Sequence, residues 1–467
     1  MSIIQHLFLR SPNWLKEIAF SGEAIRRNWY RRYGDYNSIR KEFSFANIES
    51  LSREQIELYQ IDRINSLIEY AKVNCPFYKN RFSLNKIAAL NDILSIPILQ
   101  KEEIRNNLKT LISTTYNKRN LWWTYTSGST GKPLKYCVSR ESIRIRYAIH
   151  DNYFELYSLP WGAPRARLSG ILTTPINNEE PPFWVFNRVF NQLQMSAYHI
   201  SSKTAVYYIN KLIEFKPVAI IGYPHSIYLL ASFMLENSIR LDCVKVIFTD
   251  SENLIDAHKQ VIENAFNVKC KDAYGLGEIT GGAFLCENDQ YIEMYPTCLI
   301  EVVDEKGNPS NPGEPGRIII TDLVNYASPF IRYETGDIGV LSTGCNCKWH
   351  NIKHIREIVG RVDDMILTTK GRWVGRLSHV TKPGIGILES QIVQKQINEI
   401  EILIVPALDF QAESMTNVLK TAKDYLGSDM NVTWRIVKEI PPDAKSHKIK
   451  HVVRNPSIGI PLFNGLT

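Results

Sequence analysis

The sequence predicts an α/β protein with a large N-terminal domain and a small α+β unit at its C-terminal end. Three observations carry this. Between Ser142 and about Phe266, short apolar runs such as "PVAIIGYP" and "VKVIFTD" alternate with helix-period segments, the texture of a sheet covered by helices. From Cys298 onward, strand patterns follow one another across Gly/Pro/Asn-rich turns with no helix between them. After Gly360 the pattern becomes strand, helix, strand, in "EIEILIVP", "ESMTNVLKTAKDYLG" and "NVTWRIVKEI".

In chain order, residues 1–110 read mainly as helices; "REQIELYQIDRINSLIEYAK" (Arg53–Lys72) repeats apolar residues at helical spacing. "NLWWTYT" (Asn120–Thr126) reads as a strand feeding a glycine-rich loop. "VAIIGYPHSIYLLASFML" (Val218–Leu235) is the best candidate for a membrane span, but Pro224 and His225 split it. It therefore reads as a buried strand followed by a core helix. "CLIEVVDEKGNPSNPGEPGRIIITDL" (Cys298–Leu323) predicts two strands around a turn, and "FIRYETGDIGVL" predicts strand, loop, strand. "GRVDDMI" (Gly360–Ile366) marks a boundary between a domain at 1–362, with a β-rich part at about 298–358, and a domain at 363–467.

Composition narrows the class. At 467 residues and 44% hydrophobic content, without repeats or low-complexity segments, the chain reads as a globular protein of about two or three domains. Its 55 Lys+Arg against 48 Asp+Glu are spread along the chain, unlike the dense basic stripe of a nucleic-acid binder. The densest basic segment, "AIRRNWYRRYG" (Ala24–Gly34), is either a solvated helix face or a peripheral contact with an anionic membrane. Arg10 and Pro12 cut short the apolar start "SIIQHLFLR", and no small-residue cleavage site follows, so no secretory leader is expected. Eight cysteines in so long a chain fit a reducing, cytoplasmic interior rather than a disulfide framework.

"TSGSTGKP" (Thr126–Pro133) is the strongest local signal. Gly128 and Gly131 stand closer together than in the common phosphate loop, and Pro133 follows Lys132 where that loop has a magnesium-binding hydroxyl. A residue before proline is pushed away from helix, so Lys132 does not open one. The segment is either a surface turn or a hydroxyl-rich loop whose glycines let the backbone close over a triphosphate.

The remaining motifs favour the second reading. "TSGSTGKP", "DAYGLGE" (Asp272–Glu278), "RYETGD" (Arg332–Asp337), "GRVDDMI" and "SHKIKHVV" (Ser446–Val453) resemble, in order, the signature motifs of the adenylate-forming, acyl-CoA synthetase-like superfamily. "FTDSENL", Cys345-x-Cys347, "DDMILTTKGRWVGRLSHV", "SQIVQ" and "NCPFYKNRF" are similar to the phenylacetate–coenzyme A ligase family, and within it to CapK-like proteins of capsule and surface-polysaccharide biosynthesis.

This resemblance implies an adenylate-forming fold with a mobile C-terminal domain. It implies that a carboxylate attacks the α-phosphorus of ATP and that coenzyme A then displaces AMP. Ser127, Gly128, Ser129, Thr130, Gly131 and Lys132 would hold the β- and γ-phosphates, and Glu278 would bind Mg²⁺. Tyr274, beside Gly275, would stack on adenine, Asp337 would accept from the ribose hydroxyls, and Arg361 would reach ribose or phosphate. Lys448 would bridge the attacking carboxylate and the α-phosphate, although Lys445 and Lys450 lie in the same segment. Asp363 would be the hinge. The acyl pocket would draw on Gly222–Ser226, Trp184 and Tyr198.

The chain departs from the family pattern at three positions. Gly277 replaces a hydroxyl residue before the magnesium glutamate, Glu334 stands where many relatives have Arg or Lys, and His447 replaces a glycine. Cys286, Cys345, Cys347 and His350 suggest a tetrahedral structural zinc site, or else a set of free thiols. Asn288 and Ile292 occupy places where relatives have histidines. The reading leaves three functions open: a carboxylate–coenzyme A ligase, a ligase that passes the acyl group to an amine such as a glycan precursor, and a non-catalytic scaffold.

Overall fold

The computed structural model describes residues 3–84, 86–126, 134–175, 178–200, 203–254, 256–361, 366–369, 373–374, 377–381, 384–440 and 450–458. The N-terminal region is helical, as expected: α1 (Ile3–Arg10), α2 (Asn13–Arg32), α3 (Tyr36–Glu42), α4 (Phe45–Glu49), α5 (Arg53–Asn74) and α6 (Lys101–Leu111). α5 starts at a capping box, where Ser52 Oγ accepts from Gln55 N and Gln55 Oε1 accepts from Ser52 N. Its inner face, Ile56, Gln60, Ile64, Leu67, Ile68 and Ala71, is buried at the spacing read from sequence. Gln60 donates to Glu293 Oε1 (2.5 Å), which ties the helical region to the sheet.

β1 (Trp122–Tyr125) and β2 (Lys135–Val138) form an antiparallel hairpin. Thr126 N donates to Leu134 O and Leu134 N to Thr126 Oγ1, both at 2.9 Å, so the ends of the glycine-rich loop are clamped together. The loop itself, with Ser127, Gly128, Ser129, Thr130, Gly131 and Lys132, lies outside the described residues, as do Asp363 and Lys448.

The α/β region follows as α7 (Arg140–Leu156), β3 (Arg165–Ser169), β4 (Trp184–Asn187), β5 (Gln192–Ser196), α8 (Ala205–Phe215), β6 (Ala219–Gly222), α9 (Pro224–Glu236), β7 (Val246–Asp250), α10 (Asp256–Phe266) and β8 (Cys270–Gly275). β9 (Gly282–Leu285), β10 (Tyr291–Glu293), β11 (Cys298–Val303), β12 (Pro315–Asp322), β13 (Tyr333–Leu341) and β14 (His354–Arg361) complete a sheet in the order β11-β12-β13-β14-β10-β9-β8-β7-β6-β3-β5-β4. β5, β3, β6, β7 and β8 run parallel to one another. Val218–Leu235 is strand and helix, and among the described residues no helix is long and apolar enough to cross a membrane.

The β-rich stretch joins the main sheet, where β14 pairs with β10 (Tyr291↔Ile355, Ile292↔His354). One local expectation changes. Within "FIRYETGDIGVL", Tyr333–Leu341 is one strand, β13, rather than strand, loop, strand. The interruption read from Thr335–Gly336–Asp337 is a bulge. Arg317 faces Ile338 and Ile319 faces Glu334, so three residues stand opposite Ile318.

From Ile366 the chain builds a second core. β15 (Ile366–Leu367), β16 (Trp373–Val374), α11 (Ser378–Thr381), β17 (Ile385–Gln396), β18 (Glu399–Gln411), α12 (Met415–Leu426), β19 (Asn431–Ile436) and β20 (Val452–Arg454) form this lobe. Its sheet order is β19-β18-β17-β20, and among the described residues its buried cluster runs from Ile366 to Val452. The lobe meets α9 where Glu389 Oε1 lies 3.5 Å from His225 Nε2. His258 of α10 stacks on Tyr228 (4.1 Å between ring centroids). Burial, with His225 and His451 nearby, holds its imidazole well below the usual range and therefore neutral.

Candidate active site

In an open sheet, ligands bind beyond the carboxyl ends of parallel strands. Here those ends carry Gly170 after β3, Gly222 and Tyr223 at β6, Asp250 at β7, and Tyr274 and Gly275 at the end of β8 with the turn to Glu278 after them. The Tyr274 hydroxyl donates to Asp337 Oδ2 (2.7 Å), which brings two distant motifs together. Glu278 is buried, and its Oε1 accepts from the hydroxyl of Tyr333 (2.9 Å), the first residue of β13.

The bulge aims Asp337. Gly336 takes φ +83°, a conformation that disfavours a side chain. Lys101 Nζ donates to Thr335 O (2.7 Å), Thr335 Oγ1 donates to Ile318 O (2.9 Å), and Asp337 N donates to Thr335 Oγ1 (3.0 Å). Arg361 stands opposite Asp337 in the β13–β14 ladder. Asp272 has a supporting part. It accepts from Tyr291 (2.6 Å) and from Thr249, and burial pushes its carboxyl up to about 6.

Two of the departures acquire physical reasons. A Cβ at Gly277 would stand 2.5 Å from Tyr136 Oη, so the space that a hydroxyl residue needs is filled by a tyrosine hydroxyl from β2. Burial pushes Tyr136 up to about 12, so it stays protonated. Arg146 of α7 fixes the same turn by donating to Gly277 O (2.9 Å) and Ile279 O (2.6 Å). Glu334 pairs with Arg317 across the β12–β13 boundary (3.0 Å). Tyr30, Arg31, Trp122, Tyr136, Arg146 and Gly277 border a cavity of about 160 Å³.

The Gly277 contact predicts a double-mutant result. Gly277→Ala destabilises the protein by about 1–3 kcal/mol through overpacking. With Tyr136→Phe the nearest remaining ring atom is 3.5 Å away, an ordinary contact, and the cost falls below about 1 kcal/mol. Urea unfolding of the four chains measures this; equal costs in both backgrounds contradict the packing assigned to Tyr136.

Tyr136, Arg146, Tyr333 and Lys101 were not singled out in the sequence. Tyr136 and Tyr333 adjoin or lie inside motifs, whereas nothing local marks Arg146 or Lys101. Around the expected acyl pocket, the Tyr198 and Tyr223 hydroxyls converge, 2.7 and 3.0 Å from where a Gly170 Cβ would stand. Trp184 instead packs toward Tyr208 and Phe183 in the core beneath α8. Arg167 on β3 pairs with Asp250 at the end of β7 (2.9 Å).

The expected metal cluster changes by one residue. Cys286, Cys345, Cys347 and His354 offer ligand atoms that all lie within 4.8 Å of one another, and His350 is not among them. His350 sits exposed on the turn, while His354 opens β14 directly opposite Ile292. The imidazole therefore comes from the cross-strand neighbour of a position where histidine was expected. Cys286 Sγ and Cys345 Sγ are 3.8 Å apart, the separation given by two tetrahedral Zn–S bonds of about 2.3 Å. Cys347 Sγ lies 3.1 Å from His354 Nε2, and His354 Nδ1 lies 2.7 Å from Ile352 O. A proton on Nδ1 directed at that carbonyl leaves the Nε2 lone pair for a metal. The donor set therefore fits zinc.

The fold is that of the adenylate-forming ligases. A 2-hydroxyisobutyryl-CoA ligase in the postadenylation state, in complex with R3-HIB-AMP, superimposes with a TM-score of 0.67 at 16% identity, covering 85% of this chain and 89% of that one. Its thioesterification-state structure superimposes less closely, at 0.52 over the same 85%. Residues 366–455 match the family model of the CapK C-terminal domain. The chain is 30% identical over 403 residues to protein CapK of Staphylococcus aureus, covering 83% of this chain and 88% of the relative. It is 22% identical over 339 residues to a phenylacetate-coenzyme A ligase of Thermus thermophilus, covering 68% and 73%. The chain belongs to the CapK family.

Proposed function

We propose that the chain is an AMP-forming carboxylate ligase that adenylates a small carboxylic acid and transfers the acyl group to coenzyme A, in the making of a capsule or related surface polysaccharide. The observation that carries this reading is the Tyr274–Asp337 contact, which joins the end of β8 to the bulge of β13, with Glu278 buried in the next turn and bound to Tyr333 at the start of that strand. The similarity to phenylacetate-coenzyme A ligases and to CapK supports it.

In this reading the acid's oxygen attacks the α-phosphorus, the bond from that phosphorus to the bridging oxygen of the β-phosphate breaks, and pyrophosphate leaves. A carboxylate offers about four lone-pair sites, so Asp337 serves Tyr274 and the ribose hydroxyls together. The Tyr274 ring, held by that contact and flanked by Gly275, stacks on adenine. A buried carboxylate held by a neutral hydroxyl suits a hard cation, and Glu278 would hold Mg²⁺, which when bound offsets triphosphate charge. Ser127, Gly128, Ser129, Thr130, Gly131 and Lys132 cradle the β- and γ-phosphates. Lys448 bridges the acid and the α-phosphate, Arg361 reaches the nucleotide, and Asp363 is the pivot. The thiol sulfur of coenzyme A then attacks the acyl carbon and AMP departs. The Tyr198 and Tyr223 hydroxyls and the Arg167–Asp250 pair favour a polar or aromatic acid over a fatty chain. Cys286, Cys345, Cys347 and His354 would hold a structural zinc, which when bound would tie the 345–347 loop to the residues after β9 and at the start of β14.

An amine on a glycan precursor is the competing acceptor, motivated by the CapK relationship. Single-turnover release of AMP from preformed acyl-AMP, with coenzyme A or amino sugars supplied, separates the two. Acceleration by coenzyme A supports the reading; acceleration by the amine alone replaces the acceptor.

A further inference from the structure

The outer face of α2 takes no part in the reaction above. Its inner face is fixed to the large domain. Arg32 pairs with Asp151 (2.9 Å), Ser21 Oγ accepts from Arg188 N (3.2 Å), and Glu17 accepts from Phe186 N (3.3 Å). The opposite face presents Trp14, Ile18, Ile25 and Trp29, which are 63%, 59%, 61% and 53% exposed. Their spacing puts them on one stripe, Leu15 borders it, and Leu7 of α1 is likewise exposed. Trp29 stacks on Tyr33 (5.5 Å) and lies under Arg140 (4.4 Å), which fixes one end of the stripe; its exposed length through Trp14, Ile18 and Ile25 marks a contact surface.

The charge around the stripe identifies its partner. Residues 3–33 carry six basic side chains and two acidic ones. Glu17 faces the domain, and Glu23 is neutralised by Arg26 and Arg27, each at 2.7 Å. Arg10 and Arg26 are exposed, and Arg27 borders the cavity beside Tyr30 and Gly277. Two copies joined through this face would bring together two surfaces that each carry more arginines than carboxylates. An anionic lipid surface offers phosphates to the arginines and an apolar layer to the stripe, and tryptophans settle at that boundary.

We propose that α1 and α2 dock the protein flat on an anionic bilayer, the apolar stripe entering the headgroup boundary and Arg10 and Arg26 binding lipid phosphates. This rests on the exposed face alone and is independent of the acyl chemistry. The test is flotation of the full chain with phosphatidylcholine vesicles containing about 30% phosphatidylglycerol. The protein floats with these vesicles and not with pure phosphatidylcholine. Ile18→Asp with Ile25→Asp lowers partitioning at least about tenfold, and so does Arg10→Glu with Arg26→Glu. The isoleucine variant keeps its melting temperature, since both side chains are exposed. Absence of flotation, or flotation unchanged in both variants, overturns the proposal. So does a native dimer that the isoleucine variant splits into monomers, without vesicle binding, because the stripe then belongs to a second copy.

Discussion

Glu278→Gln lowers ATP–pyrophosphate exchange about 100- to 1,000-fold, the usual cost of removing one preorganised electrostatic contact from a reacting centre. The substitution is nearly isosteric and its side-chain oxygen still accepts the Tyr333 hydroxyl, so the packing around the buried side chain persists. What goes is the negative charge that would hold the cation at the triphosphate. The melting temperature should move little, because Glu278 answers a neutral hydroxyl and stays buried among the same neighbours. Exchange within about threefold of the native rate would remove Glu278 from the nucleotide site.

The second large effect is at the cysteine cluster. The native chain should carry one zinc, measured by metal analysis of protein purified without added metal. Cys347→Ser and His354→Ala lose it, and the melting temperature falls by about 5–10 °C, because a structural zinc contributes directly to folding free energy. His350→Ala keeps both the metal and the melting temperature. The pair of histidine variants separates the strand-borne ligand from its neighbour in sequence. Loss of zinc in His350→Ala with retention in His354→Ala would contradict the geometry.

The two histidines also show where sequence reasoning stops. Cys-x-Cys is a local pattern, and it led to the histidine nearest along the chain. The ladder that sets Ile292 against His354 is a long-range pairing, and no local periodicity reports it. The same division holds elsewhere. The β6–α9 split at Pro224 and helix α5, read from its apolar spacing, follow from local chemistry and were legible. The Thr335–Gly336–Asp337 segment was legible as an interruption, but only the register against Ile318 makes it a bulge that aims Asp337. Gly277 looked like a missing contact; Tyr136, far along the chain, supplies the reason.

The claim that this chain adenylates a carboxylic acid is tested most directly by ATP–pyrophosphate exchange across aromatic, hydroxylated, sugar and amino acids, with native protein and Lys448→Ala side by side. The account predicts exchange with at least one polar or aromatic acid and its near loss in Lys448→Ala. Absence of exchange with every acid, together with no ATP binding by calorimetry, would contradict it and leave a family member that keeps the fold without the reaction.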